Sequence, residues 1–115
     1  MLLIQIPNHT QEKAIMMTAD GLLQDLRETQ QAAMAESVWY KVRFYPSMGT
    51  YKIYKQGLYV RTVTLQDKVT FGNVPTDIIF NASGAPNVGL TIMLQCGDRA
   101  KKVIVAPVMG RIRVD

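Results

Sequence analysis

Arg111 and Arg113 stand one residue apart in Gly110-Arg111-Ile112-Arg113-Val114, and nowhere else in the chain do side-chain type and spacing suit a binding chemistry so well. In an extended strand they project from one face about 7 Å apart, which matches successive phosphates of a nucleic-acid strand, while Ile112 and Val114 anchor the opposite face. Arg99, Lys101 and Lys102 precede them at an expected turn around Cys96-Gly97-Asp98 and would extend the cationic patch. Four or five such charges on phosphates give sequence-tolerant binding that falls steeply with salt. The competing reading is an edge strand kept soluble by arginine, or arginines paired with an acidic helix.

Catalytic arrangements are poorly served. His9 is the one histidine, and no Cys, Asp or Glu stands at ligand spacing from it, so no metal site is expected. A Ser/His/Asp nucleophile would need that same histidine held in a pocket, and a position near the start of the chain is a poor place for one. The helical carboxylates fall on or beside a polar stripe where solvation leaves them ordinary. Cys96 has no partner for an internal disulfide and reads as a small strand-end residue. These features predict no enzyme and no cofactor. Gly84, Gly89, Gly97 and Gly110 read as turn glycines, because a phosphate loop needs a helix directly after it. Trp39, Tyr40, Phe44, Tyr45, Tyr51, Tyr54 and Tyr59 interleave with Lys41, Arg43, Lys52 and Lys55. That pattern could stack exposed bases, though cross-strand packing is the commoner use.

The elements that would position these residues follow from composition and periodicity. A chain of 115 residues, 48% hydrophobic and 19% charged, fits one packed domain that needs neither metals nor disulfides. The formal charge of +4 is unevenly spread. Residues 1–37 hold Lys13 and Arg27 against five carboxylates, whereas residues 38–115 hold eleven Lys and Arg against four Asp, so the two parts attract. The basic part could also meet a polyanion or an acidic surface.

Asn8, Thr10 and Gln11 offer helix-start chemistry, and Ile15, Ala19, Leu22, Leu26 and Ala33 then recur at helical spacing, flanked by Met16, Leu23 and Met34. Gly21 inside this run costs about 1 kcal/mol relative to alanine, and close approach of a neighbouring backbone is the expected reason for it. After Glu36 the period becomes two. Val38, Tyr40, Val42 and Phe44 form an apolar face, Pro46-Ser47-Met48-Gly49 a turn, and Thr50 to Lys55 the returning strand. Leu58 to Leu65 and Val69-Thr70-Phe71 read as a second pair turned by Gln66-Asp67-Lys68. From Asp77 to Val114 closely spaced turns predict hairpins, and Val103-Ile104-Val105-Ala106 reads as a central strand covered on both faces. The layout is α+β: a long N-terminal amphipathic helix packed on antiparallel sheet.

This order resembles the GspH/FimT family of minor pseudopilins over nearly the whole chain. Leu22 to Ala33 is similar to its Leu-Arg and Ala-rich helical run, Phe80, Gly84 and Gly89 to its Phe-x-x-x-Gly hairpin with a following strand, and Gly110-Arg111-Ile112-Arg113 to its terminal Gly-Arg-x-Arg. The resemblance implies a single pseudopilin domain over 1–115. It also implies a protein anchored in the inner membrane by an N-terminal hydrophobic helix, with its globular part extracytoplasmic, joining other pseudopilins or minor pilins in a type II secretion or type IV pilus-like filament. In DNA-uptake members the basic C-terminal stretch is implicated in contacting DNA, which maps onto Arg111 and Arg113. The first residues, Met1 to Pro7, are too few to span a bilayer. Residues 1–9 are therefore expected to be the remnant of, or linker to, such a helix, with a natural soluble start as the competing reading.

Overall fold

The computed structural model describes residues 8–108 and 110–115. The expectations placed on residues 1–7, on Met109 and on the side chains of Asn8 and His9 lie outside them. Among the described residues one α-helix, α1 (Asn8–Glu36), is followed by eight strands: β1 (Tyr40–Tyr45), β2 (Thr50–Lys55), β3 (Leu58–Thr64), β4 (Thr70–Phe71), β5 (Ile78–Phe80), β6 (Leu90–Cys96), β7 (Arg99–Val105) and β8 (Ile112–Val114), with a single 3-10 turn, Pro46–Met48, between β1 and β2. They form two four-stranded antiparallel sheets, ordered β3-β2-β1-β5 and β4-β6-β7-β8.

The helix owes its place to its stripe. Ile15, Ala19, Leu22, Leu26 and Ala33 are all buried, as the spacing predicts. Thr18 and Thr29 complete the row, because each turns its hydroxyl back onto the carbonyl four residues earlier, Ala14 at 2.9 Å and Asp25 at 2.6 Å, and so enters the core with its polar atom satisfied. The helix stops in a Schellman-type cap. Ser37 takes a left-handed φ of 55°, its amide donates to the Met34 carbonyl, and the Val38 amide donates to the Ala33 carbonyl at 3.1 Å.

The inner faces of both sheets meet this stripe. Tyr40, Val42, Phe44, Tyr51, Ile53, Ile78 and Phe80 come from the first sheet, and Ile92, Leu94, Cys96, Val103, Val105 and Ile112 from the second. Phe44 of β1 and Phe71 of β4 stack edge to face at 5.9 Å, which joins the two sheets at the end of the core.

Four expectations are corrected. The segments Leu58–Leu65 and Val69–Phe71 do not pair with each other: β3 pairs with β2, and β4 crosses to the second sheet and pairs with β6. Period-two patterning assigns a strand its faces but not its neighbour, and two residues of β4 carry too little signal to choose one. The Phe80 to Gly89 region likewise does not lead from one hairpin strand to the next. β5 pairs with β1, a single bridge joins Phe80 to Pro86, and the chain then changes sheet before β6. Strand β7 is central, yet Ile104 faces outward and is only half-buried, so an all-apolar run here is covered fully on one face alone. Finally, a Cβ on Gly21 would meet nothing within 4 Å, so no backbone approaches it.

Gly21 and Leu22 lie on different faces of the helix, one exposed and one buried. Gly21→Ala should raise unfolding stability by about 0.5–1 kcal/mol, because the site is exposed and helical and alanine loses less chain entropy. Leu22→Ala, one residue on and fully buried, should lower it by about 2–5 kcal/mol. Urea denaturation of both variants checks the assignment of the helix faces.

Candidate functional site

The C-terminal strand is held in place by the helix. Gln30 donates from Nε2 to two carbonyls, Gly84 and Gly110, each at 2.9 Å, and Arg27 one turn earlier donates to the Ile112 carbonyl at 2.9 Å. Gly84 and Gly110, 26 positions apart in sequence, therefore meet at one side chain. Both have positive φ, 85° and 64°. A Cβ on Gly84 would sit 2.6 Å from the Met34 sulfur, and one on Gly110 would press on Gln30 and lie 2.9 Å from the Gly84 carbonyl oxygen. Neither position tolerates a side chain. Gly89 lies against Pro107 without positive φ, and Phe80 is fully buried beneath the same region. Of the four residues of the resemblance, Gly84 and Gly110 thus meet at Gln30 just ahead of β8.

With Ile112 turned into the core, Arg111 and Arg113 point outward and are exposed, as the alternation predicts. Register separates the remaining basic residues. Ile104 pairs with Arg113 and Lys102 faces Asp115 through paired backbone hydrogen bonds, so Lys102, Arg111, Arg113 and Asp115 share the outer face of the second sheet. Arg99 and Lys101 pair with Cys96 and Leu94, whose side chains are core residues, and so they belong to the other face. They lie within β7 and not in the turn before it. The outer patch therefore has three cations, not four or five. Arg113 Nε lies 3.2 Å from Asp115 Oδ1 with both side chains half-exposed, a local pair of small energetic weight. Among the described residues Arg111 makes no salt bridge.

The attraction between the acidic helix and the basic remainder is realised elsewhere, at the first sheet. Asp25 accepts from Arg61 at 2.8 Å and from the hydroxyl of buried Tyr51, and Glu36 pairs with Lys55 and accepts from Tyr40 at 2.7 Å. Asp25, beside the polar stripe, thus meets partners from β2 and β3 that helical periodicity cannot reveal. Burial, reinforced by the hydrogen bond to Asp25, pushes the Tyr51 phenol well above the usual tyrosine range. Hydrogen bonds from Lys55 and Tyr40 hold Glu36 below the usual carboxylate range.

On the outer face of the first sheet the aromatics pack across strands. Lys41 Nζ lies 5.0 Å from the Tyr54 ring centroid, Lys52 Nζ 5.1 Å from that of Tyr45, and the two hydroxyls meet at 3.1 Å. Near the start of the helix a cleft of about 470 Å³ is lined by Thr10, Gln11, Ala14, Asp67, Lys68, Cys96 and Gly97. Among the described residues no three His, Cys, Asp or Glu side chains gather to hold a metal, and no helix is long and apolar enough to cross a membrane.

A long helix whose one stripe closes two antiparallel sheets, with a C-terminal strand pinned to it, is the α+β architecture that the resemblance leads one to expect. Solved structures agree. The minor pseudopilin EpsH of the Vibrio cholerae type 2 secretion system superposes with a TM-score of 0.72 at 14% identity, covering 88% of this chain and 95% of that one. The Pseudomonas aeruginosa type IV minor pilin FimU superposes with a TM-score of 0.74 at 13% identity, covering 93% of this chain and 92% of that one. A second EpsH structure gives 0.73 at 10% identity, covering 90% and 96%. At such identities the likeness is one of fold. No family profile and no curated protein matches the sequence.

The buried Tyr51 phenol, hydrogen-bonded to Asp25, sets a pH limit. Because the folded-state pKa of Tyr51 is raised above its unfolded value near 10, the folded protein keeps a proton that the unfolded chain releases once the pH passes about 10. The stabilisation is complete below that point and is lost at about 1.4 kcal/mol per pH unit above it. Urea unfolding between pH 8 and 11 should show this decline in the parent protein and a shallower one in Tyr51→Phe.

Proposed function

We propose that this chain is the globular domain of a minor pilin-like subunit. It takes part without catalysis in a type II secretion or type IV pilus-like filament, binding other subunits of that filament through protein contacts. The observation that carries this reading is the shared fold, which spans about nine-tenths of this chain and of both neighbours, EpsH and FimU. One neighbour is named for a secretion system and the other for a pilus, so the fold supports the filament class and not one system within it. In this reading a hydrophobic helix ahead of α1 anchors the protein in the inner membrane, and the domain stands outside the cytoplasm in the cell envelope.

In its host, the natural full-length protein should fractionate with the inner membrane, be degraded by protease added to spheroplasts, and crosslink to other pilin-like subunits. Recovery in the cytosol, protected from protease, would remove the proposal.

A second reading, a DNA-binding minor pilin for uptake, is favoured by the outward, unburied placement of Arg111 and Arg113 beside Lys102. Three cations on phosphates predict weak binding whose affinity falls with a log–log salt slope of about −2 to −3. A salt-titrated gel shift should show that slope in the parent protein and no complex in the Arg111→Ala, Arg113→Ala double variant. Absence of a shift at low salt rejects DNA as a ligand while leaving the filament reading intact.

A further inference from the structure

A sheet edge exposes unpaired backbone, and a soluble protein must shorten it, cover it or use it. Three of the four edges here are cut short: β4 has two residues, and β5 and β8 have three each. β8 is further closed by the Arg27 bond to the Ile112 carbonyl. The fourth edge is different. β3 runs seven residues, with β2 on one side and, among the described residues, no strand on the other.

Only Arg61, which is drawn to Asp25 of the helix, and one bulge blunt it. Neither proline nor lysine occurs between Leu58 and Thr64, and Leu58, Tyr59 and Val60 follow one another at 74%, 60% and 47% exposure. Exposed Trp39 extends this apolar surface at the hairpin tip, where its carbonyl accepts from the Gln56 amide at 3.0 Å. Three consecutive exposed apolar residues on a long edge invite aggregation. A bulge at Val60, opposite Ile53 and Tyr54, bends the edge. Val60 thereby borders a groove of about 210 Å³ between β3 and α1, which Ala32, Tyr40 and Ile53 line together with Glu28 and Arg61. On the opposite face the same sheet is cationic. Lys41, Arg43 and Lys52 point outward from β1 and β2, and only Arg43 has an acidic neighbour, Asp77 at 3.7 Å.

We propose that β3 is a docking edge for an extended segment of a partner protein, added as a fifth strand and alternating apolar with acidic residues. Backbone hydrogen bonds along β3 supply the register. The inward apolar side chains fill the groove beside Val60. The outward acidic ones share the face of Lys52, which pairs with Thr62 of β3 and would turn from Tyr45 to meet them. The site is distinct from the basic patch on the second sheet, and it stands whether or not the chain enters a filament. Placed beside Glu28 and Ala32 of α1, it lies about 30–36 Å of helix from the N-terminal end.

The test uses an end-blocked, fluorescently labelled octapeptide alternating valine with glutamate, and its valine–lysine counterpart as control. The acidic peptide should bind with a dissociation constant below about 1 mM, and amide hydrogen exchange should slow within 58–64. Leu58→Glu and Val60→Glu should each weaken binding by at least about tenfold. Leu58 is mostly exposed, so its substitution leaves the fold intact even if the change at Val60 does not. The proposal is overturned by no binding at 1 mM, by equal binding of the lysine peptide, or by protection that maps outside β3. A concentration-dependent dimer that protects β3 without peptide would also overturn it, because the occupant would then be a second copy.

Discussion

Everything in this fold depends on the burial of one helical stripe against two sheets at once. Ile15, Ala19, Leu22, Leu26 and Ala33 face the inner sides of both, and without α1 each sheet would show its apolar face to water. The stripe is narrow, and polar side chains on either side of it fix its rotation. Asp25 reaches Tyr51 and Arg61 of the first sheet. Arg27 and Gln30 reach Ile112, Gly84 and Gly110, beside and within the second. Hydrophobic burial brings the helix to the seam, and these directional bonds stop it rolling there.

The same bonds connect fold to surface. Because Gln30 and Arg27 take the carbonyls of Gly110 and Ile112, the last strand is held to the helix with Ile112 buried, and alternation leaves Arg111 and Arg113 outward. The cationic patch is thus a result of how the core closes. On the first sheet, Asp25 and Glu36 each hold a cation from β2 or β3, so the acidic helix is partly neutralised inside the domain. Lys41, Lys52 and Lys102 make no salt bridge among the described residues.

Much of this was legible in the residues. The helix stripe, the first hairpin with its turn at Pro46–Gly49, and the outward pair of arginines each follow from periodicity within a short window, and each is present. Facts set by distant partners were not legible. Thr18 and Thr29 look polar in sequence, and only their back-bonded hydroxyls let them join the core. Gln30 and Asp25 gave no local sign of their partners, which lie 26 to 80 positions away. The division of Arg99 and Lys101 from Lys102 needed the register of β7 against β6 and β8. Gly84 and Gly110 could be read as turns, but not as the two halves of one contact.

The crossing of β4 and β5 has a mechanical consequence. The chain builds three strands of the first sheet, leaves to lay β4 in the second, returns to add β5, and leaves again for β6. Neither layer is encoded by an unbroken stretch, so no cut between Thr64 and Leu90 would release a self-sufficient half. The segments between these strands act as stitches through both layers. A pull on one layer is therefore shared by the other, and the domain should yield to force as one body, without peeling layer by layer.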